Sequence, residues 1–294
     1  MRRLFVFVTL ISTVIGGSSC SEAQSDDNAS KGKKKDKSEA GNAGGLVPGL
    51  QKVGTMNNVS ESSGLARANT AGTFYTHADA GNEPILYKVD MTGRLLERSQ
   101  LPFTNVDWES LAQDDKGTLF ITDAGNNNSS RRDLAIYRLN PGTSETTKIK
   151  FVYADQRAFP PGKKERNFDC EASLWHAGKL YLFTKDRAQQ RTSKVYTLPD
   201  QPGEQTARLL TSLSIPGEVT DASLSPNGRR LALLGREELF LLDGSDLASA
   251  LKATPRQVSL KGAGQTEGVV FLDDQTLMIS TEEGFLYQYK IPAE

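Results

Sequence analysis

The chain has 294 residues, with 35 lysines and arginines against 36 acids and a formal net charge of −1. That balance excludes a general nucleic-acid binder, which needs a basic surface. Two cysteines exclude a disulfide framework, and two histidines exclude a histidine-rich zinc or copper site.

Residues 1–19 read as a signal peptide. Arg2 and Arg3 form a basic start, Leu4 to Ile15 an apolar run of twelve residues, and GGSS a small-residue stretch. The run is short of the roughly 20 residues a spanning helix needs. Cys20 follows at once, an arrangement that resembles a bacterial lipoprotein signal, although Gly17 stands where leucine is usual. The resemblance implies cleavage before Cys20, lipidation of its thiol and anchoring to membrane lipid. Ser21 after the cysteine implies the outer membrane of the cell envelope. Residues 20–46 mix both charges with Ser, Gly and Ala and contain almost no large apolar side chain, so they are expected to form a disordered lipoprotein tether. The lysines at 31–37 suit anionic lipid or polysaccharide, but a solvated spacer is the preferred reading.

Residues 47–294 carry a repeat. SESSGLA, DWESLA, DCEASLW, VTDASLS and QTEGVVF each place an acid before an apolar stretch, at Glu61, Glu109, Glu171, Asp221 and Glu267. The spacings are 48, 62, 50 and 46 residues. Each is followed by an alternating or β-branched run (GTFYTHAD, GTLFITDAG, GKLYLFTKD, RRLALLGRE, QTLMISTEE) and by a third short strand. A fourth strand follows in the first four units: RLLERSQL, TKIKFVYA, ARLLTSLSI and PRQVSL. Short strands divided by Gly, Asp and Asn turns mean an all-β protein. Four strands per unit at this period predict a five-bladed β-propeller. The fifth unit ends after three strands, and LQKVGTMNNVSESSG aligns with RQVSLKGAGQTEGV. The N-terminal strand is therefore expected to pair with the C-terminal blade and close the ring.

In such a ring the first strands line the axis. Their acids are expected to converge on one mouth as Glu61, Glu109, Glu171, Asp221 and Glu267. Second-strand ends fall 14 to 16 residues later and should form an outer ring of His77, Asp123, Lys185, Arg236 and Glu282. Five converging carboxylates need a counter-charge. Calcium is the expected cofactor, since it accepts about 6–8 oxygens in loose geometry; blade-stabilising acids that bond backbone N–H groups are the competing explanation. Asp107 and Asp169 sit two residues before Glu109 and Glu171, and either face the mouth or cap the preceding loop. The capping role is preferred, because the other three units carry no acid there. The loops HADAGNEP and DAGNNNSSRRD add Asp79, Asn126 and Arg131 as ligand contacts, and KDRAQQRTSK adds Arg187. A basic collar over an acidic centre suits a phosphate or carboxylate group. His176 falls on the opposite face.

Together HADAGNEPILYKVD, NVDWESLAQD, ITDAGNNNSSRRDLAIYR, NFDCEASL, LYLFTK and VTDASLSPNGRRLALLG resemble the motifs of a family of secreted β-propeller lipoproteins of Gram-negative bacteria, whose activity is uncharacterised. The resemblance implies propeller fold and export. It places Cys170 inside NFDCEA, in a packing role. WESLA and TEGVVFL are similar to the strand starts of calcium-activated nucleotidases (apyrases), which implies axial calcium. Two functions stay open on these grounds. One is binding of a small-molecule, glycan or protein ligand at a calcium-loaded mouth by a monomer. The other is calcium-dependent hydrolysis of phosphate esters, nucleotides or glycans there.

Overall fold

The structure, a computed structural model, describes residues 45–143, 145–216 and 218–292. The expected signal peptide, Cys20 and the tether up to residue 44 lie outside the described residues. No described helix is long and apolar enough to cross a membrane.

The chain is all-β. After β1 (Leu50–Thr55) come five runs of short strands. They are β2 (Ser62–Arg67), β3 (Thr73–Ala78), β4 (Ile85–Asp90) and β5 (Leu95–Gln100); β6 (Trp108–Gln113), β7 (Leu119–Asp123), β8 (Ala135–Asn140) and β9 (Glu145–Tyr153); β10 (Asp169–His176), β11 (Lys179–Lys185), β12 (Thr192–Pro199) and β13 (Gly203–Ser214); β14 (Asp221–Leu224), β15 (Arg230–Gly235), β16 (Glu238–Asp243) and β17 (Arg256–Ser259); and β18 (Thr266–Phe271), β19 (Thr276–Thr281) and β20 (Phe285–Lys290). Each run is an antiparallel meander in chain order. A single-turn helix, α1 (Leu247–Ala250), follows β16 and is capped by Asp246.

Burial explains the pattern. The second strands are sandwiched on both faces, so β7 (LFITD) is buried throughout. The outer strands have a wet face and therefore alternate: in β9, Ile149, Phe151 and Tyr153 turn inward while Lys148, Lys150 and Val152 turn out. The apolar core is divided into layers between successive runs. Leu86 of the first run packs with Ile121 of the second, Phe120 with Leu182 of the third, and Phe183 with Leu233 of the fourth. Leu241 then packs with Ile279 of the last run, and Leu286 returns to Phe74 of the first. The first strands touch in the same cycle: β2 with β6, β6 with β10, β10 with β14, β14 with β18, and β18 with β2.

β1 completes the last sheet. It pairs antiparallel with β20, Leu50 opposite Tyr289, so the sheet reads β1-β20-β19-β18. One feature departs from the sequence reading. β13 spans twelve residues, and its first part, Gly203–Ala207, pairs in parallel with Ile149–Tyr153 of β9. The remainder pairs with β12, so the second and third runs share one eight-stranded sheet. The polar segment at 203–206 shows no strand periodicity. The open edge of β9 recruits it through backbone hydrogen bonds.

A second feature positions the site. Four first strands carry a β-bulge against their neighbour, with the extra residue at Gly64, Glu109, Glu171 and Glu267. A bulge re-aims the side chain of its extra residue. In the first run that residue is glycine, and Glu61 lies three positions earlier. Gly64 has φ +72°, and a Cβ there would lie 2.8 Å from the Leu111 backbone nitrogen. Gly228 has the same φ with open space around it. Gly64→Ala is therefore expected to lower unfolding free energy by about 2 kcal/mol more than Gly228→Ala. Denaturant melts of the two variants check this; equal losses would show that the bulge tolerates a side chain.

Candidate functional site

The bulges and two loops build a mouth at one end of the ring. The pocket has a volume of about 290 Å³ and is lined by Glu61, Ser62, Ser63, Asp79, Ala80, Asp107, Glu109, Asn127, Glu171, Lys185, Arg187, Glu267 and Glu282. Seven of these are carboxylates and two are bases. The opposite end of the ring opens on a separate cavity of about 380 Å³ beside Trp175 and His176. A larger cleft of about 660 Å³ lies against the outer strands β9 and β13 and gathers no comparable set of acids.

Of the acids expected at the mouth, Glu61, Glu109, Glu171 and Glu267 line it and Asp221 does not. Asp221 opens β14 without a bulge, and its side chain is consumed inside the ring. Ser110 Oγ donates to Asp221 Oδ1 at 2.9 Å and the Val269 N–H donates to Oδ2 at 2.8 Å. Ser173 N–H and Oγ both donate to Ser110 Oγ, and Thr122 Oγ1 donates to Ser173 Oγ. Asp221 is thus a tie between first strands. Burial still pushes its carboxyl up to about 8.

Of the remaining ligand contacts expected, Asp79, Lys185 and Glu282 reach the pocket. Five do not line it, and each for a definite reason. His77 is fully buried, edge-on to Trp108 at 5.5 Å, and burial lowers its pKa to about 4, which leaves it neutral. Asp123 is buried and paired with Arg131 at 2.9 Å. Asn126 is buried and turns the loop, accepting from the N–H groups of Ser130 and Arg131. Arg131 binds Asp123, Asp133 and the Gly125 carbonyl rather than the mouth. Arg236 lies outside and donates to Gln265 Oε1.

Asp107 reverses the preferred reading of the D-x-E pairs. It faces the pocket, while Asp169 serves the loops: Asp169 accepts from the Asn126 N–H and from Arg187 Nε. Among the described residues, Asp107 has no such donors on its carboxylate. Its backbone is held instead, its N–H donating to Asp123 Oδ1 at 3.1 Å and its carbonyl accepting from Gly125 at 3.2 Å. The tightest acidic group is consequently Asp79, Asp107 and Glu109, each offering an oxygen within 4.8 Å of the others. Glu109 is 8% exposed, and its carboxylate accepts no hydrogen bond among the described residues.

The other wall is compensated. Glu171 Oε1 accepts from Arg187 Nη2 at 2.7 Å and Oε2 from Lys185 Nζ at 3.3 Å. Lys185 also reaches Glu218 at 3.3 Å. Glu61 keeps an exposed place at the rim, where Asn82 Nδ2 donates to it at 2.7 Å. Arg187, Asn127 and the backing Gly125 complete the site. A Cβ on Gly125 would fall 2.5 Å from Asp107 Oδ2 and closer still to Glu109 Oε1.

Burial and like charge raise the pKa of the acids at the mouth. Burial, then the neighbouring Glu171 and Asp79, push Glu109 well above the carboxylate range. Burial first and Asp79 second raise Asp107 to about 6. Burial, opposed by Lys185, raises Glu267 to about 7. Burial and then the neighbouring Asp169 push Glu171 well above the carboxylate range too, opposed by the cationic Lys185 and Arg187 on its oxygens.

No protein-family model matches the chain, and no curated protein matches it. Among solved structures it is similar to a catalytically inactive virginiamycin B lyase from Staphylococcus aureus with quinupristin (9% identity, TM-score 0.48, 83% of this chain and 99% of that one). It is also similar to the PQQ-bound aldose sugar dehydrogenase of Streptomyces coelicolor (11%, 0.49, 81% and 96%) and to the glutaminyl cyclase of Myxococcus xanthus (10%, 0.47, 82% and 95%).

A carboxyl that titrates higher folded than unfolded adds stability that is whole below about pH 4 and is lost as pH rises through its folded pKa. Here those values are about 6 for Asp107, about 7 for Glu267 and about 8 for Asp221. In chelator, the melting temperature is expected to fall steadily from about pH 5 to about pH 8.5. Asp107→Asn and Glu267→Gln should each flatten the fall. A profile that is level across this range would contradict the buried, uncompensated state of these acids.

Proposed function

We propose that this chain is an exported, lipid-anchored protein, a five-bladed β-propeller closed by its N-terminal strand, whose axial mouth binds a small ligand through calcium. The observation that carries the reading is the convergence of Asp79, Asp107 and Glu109, with the Glu109 carboxylate buried and without a donor. The donor set fits the ion. It is all oxygen, it carries excess negative charge, and its Gly125 wall leaves the space between two carboxylates open. Calcium tolerates irregular oxygen sites of this kind. Bound there, it would supply positive charge able to polarise a ligand oxygen.

This chain's own residues would do the rest. Glu109 would give up its proton on cation binding, which couples affinity to pH. Arg187 and Lys185, held by Glu171, would present their remaining N–H donors to an anionic group of the ligand. The pocket volume suits a small head group, such as a phosphate or carboxylate, rather than a whole large ligand.

Hydrolysis of phosphate esters, nucleotides or glycans is the second reading. It is favoured by the different surroundings of two neighbouring carboxyls: Glu109 has no donor among the described residues, and Glu171 is bonded to Arg187 and Lys185. Acid and base roles divide in this way when two carboxyls differ in environment.

The test is a calcium titration followed by thermal melts. Calcium at about 100 times its Kd is expected to add about 2.7 kcal/mol of stability. Glu109→Gln and Asp107→Asn should abolish the gain, and affinity should rise from about pH 5 to about pH 8. Wild-type melts that ignore calcium and chelator alike would refute the cation site. Turnover of a nucleotide, phosphomonoester or glycan, lost in both Glu109→Gln and Glu171→Gln, would select the hydrolase.

A further inference from the structure

The loop at 123–133 lends only Asn127 to the pocket lining, yet it is held by many hydrogen bonds. Arg131 is the hub. Its side chain is 14% exposed, and its Nη1, Nη2 and Nε donate to the Gly125 carbonyl at 2.8 Å, Asp123 Oδ1 at 2.9 Å and Asp133 Oδ1 at 3.1 Å. Asp123 Oδ1 also takes the Asp107 N–H, and Gly125 N–H is donated back to the Asp107 carbonyl. Asn126 pins the next residue, its N–H to Asp169 and its side chain to the Phe168 carbonyl at 3.2 Å. The outcome is a tied wall that lends Asn127 to the pocket lining and sets the bare Cα of Gly125 against Asp107 and Glu109.

We propose that this wall sets the cation specificity of the mouth. Arg131 and Asp123 fix Gly125 behind Asp107 and Glu109, so the two carboxylates keep one separation and cannot draw together. Calcium accepts such a fixed, irregular oxygen set. Magnesium needs shorter bonds and a near-ideal octahedron, and discrimination between the two follows from cavity size and ligand flexibility. Arg131 and Asp123 are therefore positioning residues, and Gly125 is a glycine because a methyl would occupy the space between the carboxylates. Its backbone is outside the left-handed region, so alanine is excluded there by the carboxylates and not by φ. The proposal rests on the reading of the mouth as a cation site.

Calcium and magnesium affinities would be measured by calorimetry on the chelated wild-type protein and on Gly125→Ala, Arg131→Lys and Asp123→Asn. Wild type is expected to favour calcium by at least about tenfold. Arg131→Lys keeps the charge but loses the fork, and should weaken calcium by about 10–100-fold. Magnesium should change far less, so the preference collapses. Asp123→Asn should behave likewise, and Gly125→Ala should abolish calcium binding, with a cooperative melt of the chelated variant showing that it still folds. If Arg131→Lys does not fold, Gly125→Ala carries the test, since its backbone needs no adjustment. Wild-type binding with all folded variants retaining both affinity and preference would overturn the wall. Wild type that binds neither ion would overturn the cation site itself, and the wall with it.

Discussion

The pairing of β1 with β20 is the constraint on which the molecule depends. Without it the last sheet ends on an open edge, and the apolar layer between the last and first runs loses the strand that holds it shut. With it, every first strand has a neighbour on both sides. Five strand starts are then brought around one axis, and residues far apart in the chain become neighbours. Glu109 and Glu267 share a pocket only because the ring closes.

Closure brings acids together; the bulges decide which of them meet. An extra residue at Glu109, Glu171 and Glu267 turns each carboxylate toward the mouth. Asp221, on a strand without a bulge, turns into the ring and binds its neighbours there. At Gly64 the bulge has no side chain at all, and Asp79 reaches in from the following loop. The acidic group is therefore lopsided. Asp79, Asp107 and Glu109 crowd one side with a single donor among the described residues, the Ala80 N–H on Asp79, whereas Glu171 on the other is paired with Lys185 and Arg187. A symmetrical ring would spread its charge evenly, and this one concentrates it.

The repeat was plainly legible in the sequence, because acid, small residue and apolar stretch recur at near-constant spacing. The strands and their order followed from period-two patterning. Which carboxylates converge was legible only in part. SESSGLA offers two registers for its acid, and nothing in the letters says that the bulge falls on Gly64 instead of three residues earlier. The two D-x-E segments look alike, yet Asp107 faces the pocket and Asp169 is claimed by Arg187 and Asn126. That difference comes from loops at 123–133 and 186–191, whose conformations depend on hydrogen bonds between distant segments. The buried fates of His77, Asp123 and Asn126 have the same origin. The leading part of β13 was illegible for a related reason: its strand state is imposed by the edge of β9.

That shared edge makes the ring mechanically uneven. The other boundaries between successive runs rest on side-chain packing and on hydrogen bonds that involve side chains, such as Thr220 Oγ1 to the Thr266 carbonyl and the Val269 N–H to Asp221. The boundary between the second and third runs is laced by main-chain bonds from Gly203–Ala207 to Ile149–Tyr153. Glu109 and Glu171 thus stand on two runs joined in one continuous sheet, whereas Glu61 and Glu282 stand on runs whose sheets end at their own edges.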